Sequence, residues 1–103
     1  MNEPTQEEIK EFWKWCGFKI EDKAHQEGGM PIYMGTHSKE NVWVILVVDL
    51  NNLFKWAETP IIFKVGSAGW LHILNKWVQQ VAMEGADPAL ALFWAIYKVI
   101  KEV

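Results

Sequence analysis

The chain has 103 residues, of which half are apolar and 22% are charged, with a formal net charge of −3. This composition is typical of a globular protein and not of a disordered one, and the length predicts a single domain over residues 1–103. All ten basic residues are lysines. Because arginine supplies most bidentate contacts to guanine and phosphate, an acidic chain without arginine is not expected to bind nucleic acid.

The sequence also predicts a cytoplasmic protein that is not membrane-bound. Cys16 is the single cysteine, which excludes an internal disulfide and fits a reducing compartment. The start of the chain is acidic and polar, unlike a secretory signal peptide. The longest apolar runs, Val42–Val48 and Ala89–Tyr97, are much shorter than the ~20 residues of a membrane span.

The first predicted element is a helix from Thr5 to Cys16. Thr5 and Glu8 have the spacing of a capping box, in which each side chain bonds the other residue's backbone amide. Gly17 is placed to end the helix in the left-handed conformation. One apolar stripe follows the spacing i, i+3, i+4, i+7, and its members are Ile9, Phe12, Trp13 and Cys16.

The next segments predict strands. Phe18 and Ile20 alternate with charged residues, which indicates the start of a strand. Met30–Met34 is predicted as a short strand or an ordered loop, and Pro31 favours an edge position. Val42–Val48 is β-branched with no polar face, which predicts a strand buried on both sides, although so short a run does not exclude a helix.

A second helix is predicted from Asp49, its N-cap, to Glu58. Thr59–Pro60 is expected to end it, because the residue before proline avoids helical geometry. Ile61–Val65 then predicts a strand, and Gly66–Gly69 a turn.

The segment Trp70–Glu84 has two interpretations. Its apolar residues fit helical spacing, and they are Trp70, Leu74, Trp77, Val78 and Val81. A hairpin with Asn75–Lys76 as its turn is the alternative.

The last predicted helix runs from Asp87 to Glu102, with Asp87 as N-cap and Pro88 at the first helical position. A broad apolar face is shared by Ala89, Leu92, Phe93, Ile96, Val99 and Ile100. Three further apolar residues lie among the charged ones on the remaining surface, and they are Ala91, Trp94 and Ala95.

Asp49–Ala57, Asp87–Ile96 and the opening helix resemble a family of small proteins called phage ABA sandwich domains, from phages and prophages of Gram-positive bacteria. In that family an aspartate-led central helix precedes a β-hairpin, so the resemblance favours the hairpin for Trp70–Glu84. It implies an α+β fold, an antiparallel β-sheet packed by three helices in an αβα sandwich-like arrangement. It also implies a phage accessory gene without known enzymatic activity.

No catalytic, cofactor-binding or metal-binding residues are predicted. The histidines, His25, His37 and His72, are far apart in the sequence, and Cys16 lies on an apolar stripe where a thiol stays protonated. The turn Gly66–Gly69 lacks the residues of a phosphate loop or nucleophile elbow.

Tryptophan is the residue type that suggests a binding surface. Of seven tryptophans, three lie off the main stripe of their own helix, and each could instead pack under a loop or against another helix. Trp94 has small neighbours that allow close approach and Lys98 as a polar rim, which favours a protein–protein contact. The candidate interface residues are Trp94, Ala91, Ala95, Lys98, Trp15 and Trp56.

The leading functional hypothesis is a non-enzymatic phage-type accessory protein that acts through protein–protein contacts, by self-association as a homo-oligomer or with a host protein. One alternative is a small acidic inhibitor of a host defence or replication protein. A second is a ligand-binding domain or an enzyme.

Overall fold

The chain has an α+β fold, as the sequence predicts. The computed structural model describes residues 2–23 and 31–102. It divides into two compact units, Asn2–Val48 and Asp49–Val103. The described part of the first unit contains a helix and an antiparallel sheet, and that of the second is helical.

The described elements of the N-terminal unit are α1 (Gln6–Trp15), β1 (Phe18–Lys23), β2 (Tyr33–His37) and β3 (Trp43–Leu46). The three strands form one sheet in the order β1-β2-β3, and both pairs are antiparallel. The β1–β2 register shifts between Ile20 and Asp22.

The first helix confirms the prediction from the capping box. The Glu8 amide donates to Thr5 Oγ1 at 3.2 Å, and the Thr5 amide donates to Glu8 Oε1 at 2.8 Å. Gly17 follows the C-cap with a φ of 102°, a left-handed conformation that favours glycine. Local capping chemistry therefore determines both ends of α1.

Aromatic rings form much of the core of this unit. Trp13 is fully buried, and its ring lies edge-on to Phe12 at 4.9 Å and to Phe18 at 6.1 Å between centroids. Edge-to-face pairs of this kind add to the stabilisation from burial. Cys16 is buried as well, as its place on the apolar stripe predicted.

Two strand predictions are wrong in position or burial. Pro31 does not mark an edge, because the strand begins only at Tyr33 and β2 lies between β1 and β3. The predicted strand at Val42–Val48 is present as the shorter β3, but it lies at the edge of the sheet. Leu46 is fully buried, whereas Trp43 is 60% exposed. The strand has apolar residues on both of its faces, but the rest of the protein covers only one of them.

The C-terminal unit begins with α2 (Leu50–Asn52), capped by Asp49, whose Oδ1 accepts from the Asn52 amide at 2.8 Å. The other described elements are a π-helical turn (Leu53–Ala57), α3 (Glu58–Glu84) and α4 (Pro88–Lys101). The prediction that a helix begins after Asp49 is confirmed, whereas its predicted end at Glu58 is wrong.

Pro60 does not end the helical segment, because the π-helical turn continues directly into α3 and Pro60 is the third residue of α3. The strand predicted at Ile61–Val65 is consequently helical. Of the turn predicted at Gly66–Gly69, only Gly66 leaves helical geometry, with φ 79° and ψ 171°.

The hairpin predicted for Trp70–Glu84 is also wrong, and the alternative interpretation from helical spacing is correct. Of the tryptophans on that spacing, Trp70 is buried and Trp77 is half-buried. Phe54 lies edge-on to Trp70 at 6.1 Å and to Trp77 at 5.8 Å, and Trp77 Nε1 donates to the Pro88 carbonyl at 2.8 Å. These side-chain contacts stabilise the helix. The helical spacing of the five apolar residues was compatible with it but did not exclude a hairpin.

The last helix is confirmed. The Leu90 amide donates to Asp87 Oδ1 at 3.0 Å, with Pro88 in the first turn. Gly85 ends α3 in the left-handed conformation, so α3 and α4 are joined by a short connection. Members of the predicted apolar face that are fully buried are Leu92, Phe93 and Ile96.

Candidate functional site

A cleft between α3 and α4 contains several of the predicted interface residues. Its volume is about 320 Å³. From α3 it is lined by His72, Ile73, Lys76 and Gln80. From α4 it is lined by Trp94, Ala95, Lys98, Val99 and Glu102. We call this site the Trp94 cleft.

Trp94 forms one wall of the cleft and is itself half-buried. Its ring lies edge-on to Phe93 at 5.3 Å and to Tyr97 at 5.7 Å. Because both neighbours are buried, they hold the indole in a defined orientation. A rigid aromatic wall of this kind loses little conformational entropy when a ligand or partner binds to it.

Three of the six predicted interface residues come together in the cleft, namely Trp94, Ala95 and Lys98. Ala91 does not join them, because it is fully buried. Its place among charged residues on the helical wheel did not indicate this, since a wheel shows direction but not which neighbouring helix covers a position.

The other two predicted tryptophans lie elsewhere. Trp56 is buried within the π-helical turn, with Lys55 Nζ 5.1 Å from its ring centroid. A π-helical turn holds more residues than an α-helical turn, so it rotates side chains away from the positions that a regular wheel gives. Trp15 is half-buried on α1 in the N-terminal unit and does not line the cleft.

A second surface of the C-terminal unit is an apolar stripe on α3, which we define as Leu71, Leu74 and Val78. Leu71 is 60% exposed and Val78 is 52% exposed, while Leu74 is half-buried. Their spacing of three and four residues places them on one side of the helix. The hairpin interpretation hid this α3 stripe, although the spacing was visible in the sequence.

The most exposed tryptophan is Trp43 on β3, which was predicted to be buried. Ile45, two residues further on the same strand, is 56% exposed. Alternate residues of a strand share one face. The outer face at β3 is therefore apolar as well.

The titratable residues that chemistry most often uses are the cysteine and the histidines. Burial raises the pKa of Cys16 far above its ordinary value, so its thiol stays protonated and unreactive. His37 Nδ1 accepts from the Glu40 amide at 3.2 Å, and His72 lines the cleft. His25 lies outside the described residues, and within them no three His, Cys, Asp or Glu side chains are placed to hold a metal ion.

Among the helices of residues 2–23 and 31–102, none has both the length and the apolar character that crossing a lipid bilayer requires. No protein-family model, curated protein or solved structure matches this chain.

Proposed function

We propose that this protein is non-enzymatic and acts through protein–protein contacts, by self-association through the α3 stripe. The observation that carries this proposal is the exposure of Leu71 and Val78, each more than half accessible on a helix whose Trp70 and Ile73 are buried. Burying such side chains against a partner removes apolar surface from water, which is the main driving force of association.

A second copy of the chain is the partner that the stripe fits best. The charged residues closest to it along α3 include Lys76, which is two residues from both Leu74 and Val78 and so points to a different side of the helix. Because the three side chains of the stripe are uncharged, two copies of the stripe can meet without like-charge repulsion between them. The same patch then serves both subunits, as in a two-fold symmetric dimer.

The size of the stripe sets the expected strength of the dimer. From Leu71 to Val78, the stripe extends roughly 10 Å along α3, which corresponds to an interface at the low end of the size range for specific complexes. We therefore expect a transient dimer with a Kd of the order of 10–100 μM.

A phage accessory gene is the proposed origin. Its support is the resemblance of Asp49–Ala57 and Asp87–Ile96 to the phage ABA sandwich domains. The α+β class fits that family, whereas the hairpin of the family pattern is replaced here by the second half of α3.

Analytical ultracentrifugation over a range of concentrations up to about 500 μM tests self-association, since mass action favours the dimer at high concentration. We expect Leu71→Lys and Val78→Lys to remain monomeric throughout. Gln79→Lys is the matched control, because it adds the same charge at an exposed position adjacent in sequence but rotated away from the stripe.

Two outcomes contradict the proposal. The first is a wild-type chain that sediments as a monomer at every concentration. The second is a dimer that the two lysine variants leave intact while Trp94→Ala dissociates it, which would place the contact at the Trp94 cleft instead.

A further inference from the structure

We infer that the Trp94 cleft is a binding site for a small aromatic carboxylate, a function separate from self-association through the α3 stripe. The cleft lies within a single helical unit, and its volume of about 320 Å³ is at the lower end of the range for small-molecule sites. The inference depends on three features of its lining.

The first feature is an apolar interior. Ile73 on α3 is almost completely buried, and Trp94, Ala95 and Val99 on α4 are half-buried. An apolar interior bounded by two helices favours a ligand whose body is itself apolar.

The second feature is the orientation of Trp94. Its ring lies edge-on to the buried rings of Phe93 and Tyr97, which fix its orientation. Aromatic rings prefer offset-stacked or edge-on contacts with other aromatic rings. The wall of the cleft therefore favours an aromatic body over a flexible one.

The third feature is positive charge at the opening. Lys76 on α3 and Lys98 on α4 are both exposed, one on each side of the cleft, and Glu102 is the carboxylate among the lining residues. The two lysine ammonium groups outnumber that single carboxylate. In a chain whose net charge is −3, this local excess of positive charge complements an anion.

The probe that tests this site is 2-naphthylacetate, and its neutral amide is the matched control ligand. Amide shifts in a ¹H–¹⁵N spectrum report binding residue by residue. For a ligand of about fourteen heavy atoms at ordinary ligand efficiency, we expect a Kd of about 1 mM. Saturable shifts should concentrate at Lys76, Ala95 and Lys98, and the amide should bind several-fold more weakly.

Variants separate the charge from the apolar interior. Lys76→Gln and Lys98→Gln should each weaken binding about two- to five-fold, the range for an exposed charge pair. Lys64→Gln is the matched control, since Lys64 is an exposed α3 lysine that does not line the cleft. Ala95→Leu should abolish binding by filling the cleft, and its circular dichroism spectrum shows whether it folds.

The inference is overturned if the amide binds as tightly as the acid, if the shifts cluster away from the cleft, or if the glutamine variants bind like the wild type. No saturable shift at about ten times the expected Kd also overturns it. Because the α3 stripe is not part of the cleft, these outcomes leave the test of self-association unaffected.

Discussion

The helices α1 and α3 differ in how their apolar residues are distributed, and this difference separates a purely structural helix from one with surplus apolar surface. In α1 the buried residues, Ile9, Phe12 and Trp13, form one face, and most remaining positions are polar. In α3 the packed residues include Trp70 and Ile73, yet Leu71 and Val78 are exposed on the same helix.

This comparison indicates where a partner surface should be sought. A helix that only supports a core has one apolar stripe and a polar remainder. An additional apolar stripe costs solubility without contributing to the core of the monomer, so it requires another explanation.

The largest expected effect is on the core face of α1. Phe12→Ala should lower the free energy of unfolding by about 3–5 kcal/mol, because it leaves a cavity in a fully buried site. Leu71→Ala on α3 should change it by about 0.5 kcal/mol or less, as exposed substitutions do. Urea denaturation at low protein concentration measures both values. Equal losses would show that Leu71 is a core residue and would remove the basis of the α3 stripe.

The next effect concerns the interruption of α3 at Gly66. Its φ of 79° and ψ of 171° belong to a region that is essentially restricted to glycine, whereas Gly85 has an ordinary left-handed conformation. Neither site has an atom within 4 Å of an added Cβ, so backbone strain alone sets the cost. We expect Gly66→Ala to destabilise by about 2–3 kcal/mol and Gly85→Ala by about 1 kcal/mol.

Thermal and urea denaturation measure the loss of stability in Gly66→Ala and in Gly85→Ala, and we expect the larger loss in Gly66→Ala. If Gly66→Ala is as stable as the wild type, the break in α3 does not depend on glycine.

A smaller loss of stability is expected for Trp94→Ala. The indole is half-buried and keeps two edge-on aromatic contacts, so its removal should cost about 1–2 kcal/mol. The same variant should lose 2-naphthylacetate binding. Destabilisation as large as that of Phe12→Ala would instead identify Trp94 as part of the core.

The smallest effect is expected for Tyr33→Phe. The Tyr33 hydroxyl is buried without a hydrogen-bond partner among the described residues, so its removal should change stability by less than about 1 kcal/mol, in the stabilising direction. Circular dichroism during urea titration at pH 7 measures this change. A clear loss of stability would reveal a partner for the hydroxyl.

The same variant should also change how the free energy of unfolding depends on pH. Burial, assisted by the Glu7 carboxylate, raises the pKa of Tyr33. Because the unfolded chain releases this proton first, the wild-type free energy of unfolding should fall as the pH rises above about 10. The fall should be less steep in Tyr33→Phe. Burial also raises the pKa of Cys16, which lowers stability at high pH in the same direction. Because Cys16 is present in both the wild type and Tyr33→Phe, the difference between their pH profiles reports Tyr33 alone.

Local signals in the sequence predicted the elements whose ends are determined by capping. Thr5, Asp49 and Asp87 each cap the helix that they were expected to begin. The wrong predictions have a different physical origin. Pro60 was interpreted as a helix stop, but the helical segment continues through it. The residues after it are also helical, and Trp70 and Trp77 pack there against Phe54, which is distant in the sequence.

Only the part of the candidate site that lies on α4 was predicted from the sequence. The sequence identified Trp94, Ala95 and Lys98, which one helix presents together at the cleft. It could not identify Lys76 on the facing wall, because that contact requires knowledge of how α3 and α4 pair. The exposure of Trp43 could not be predicted either, because the sequence of a strand does not show whether both of its faces are covered.

The exposed indole at the edge of the sheet has a consequence for handling the protein. Edge strands with apolar side chains are sites of unwanted pairing between molecules, and a short strand and like charge are common protections against it. β3 has four residues, and the sequence pI is about 5.5. Near that pH the mutual repulsion of molecules vanishes, so precipitation should be fastest there and should decrease when Trp43 is replaced by lysine.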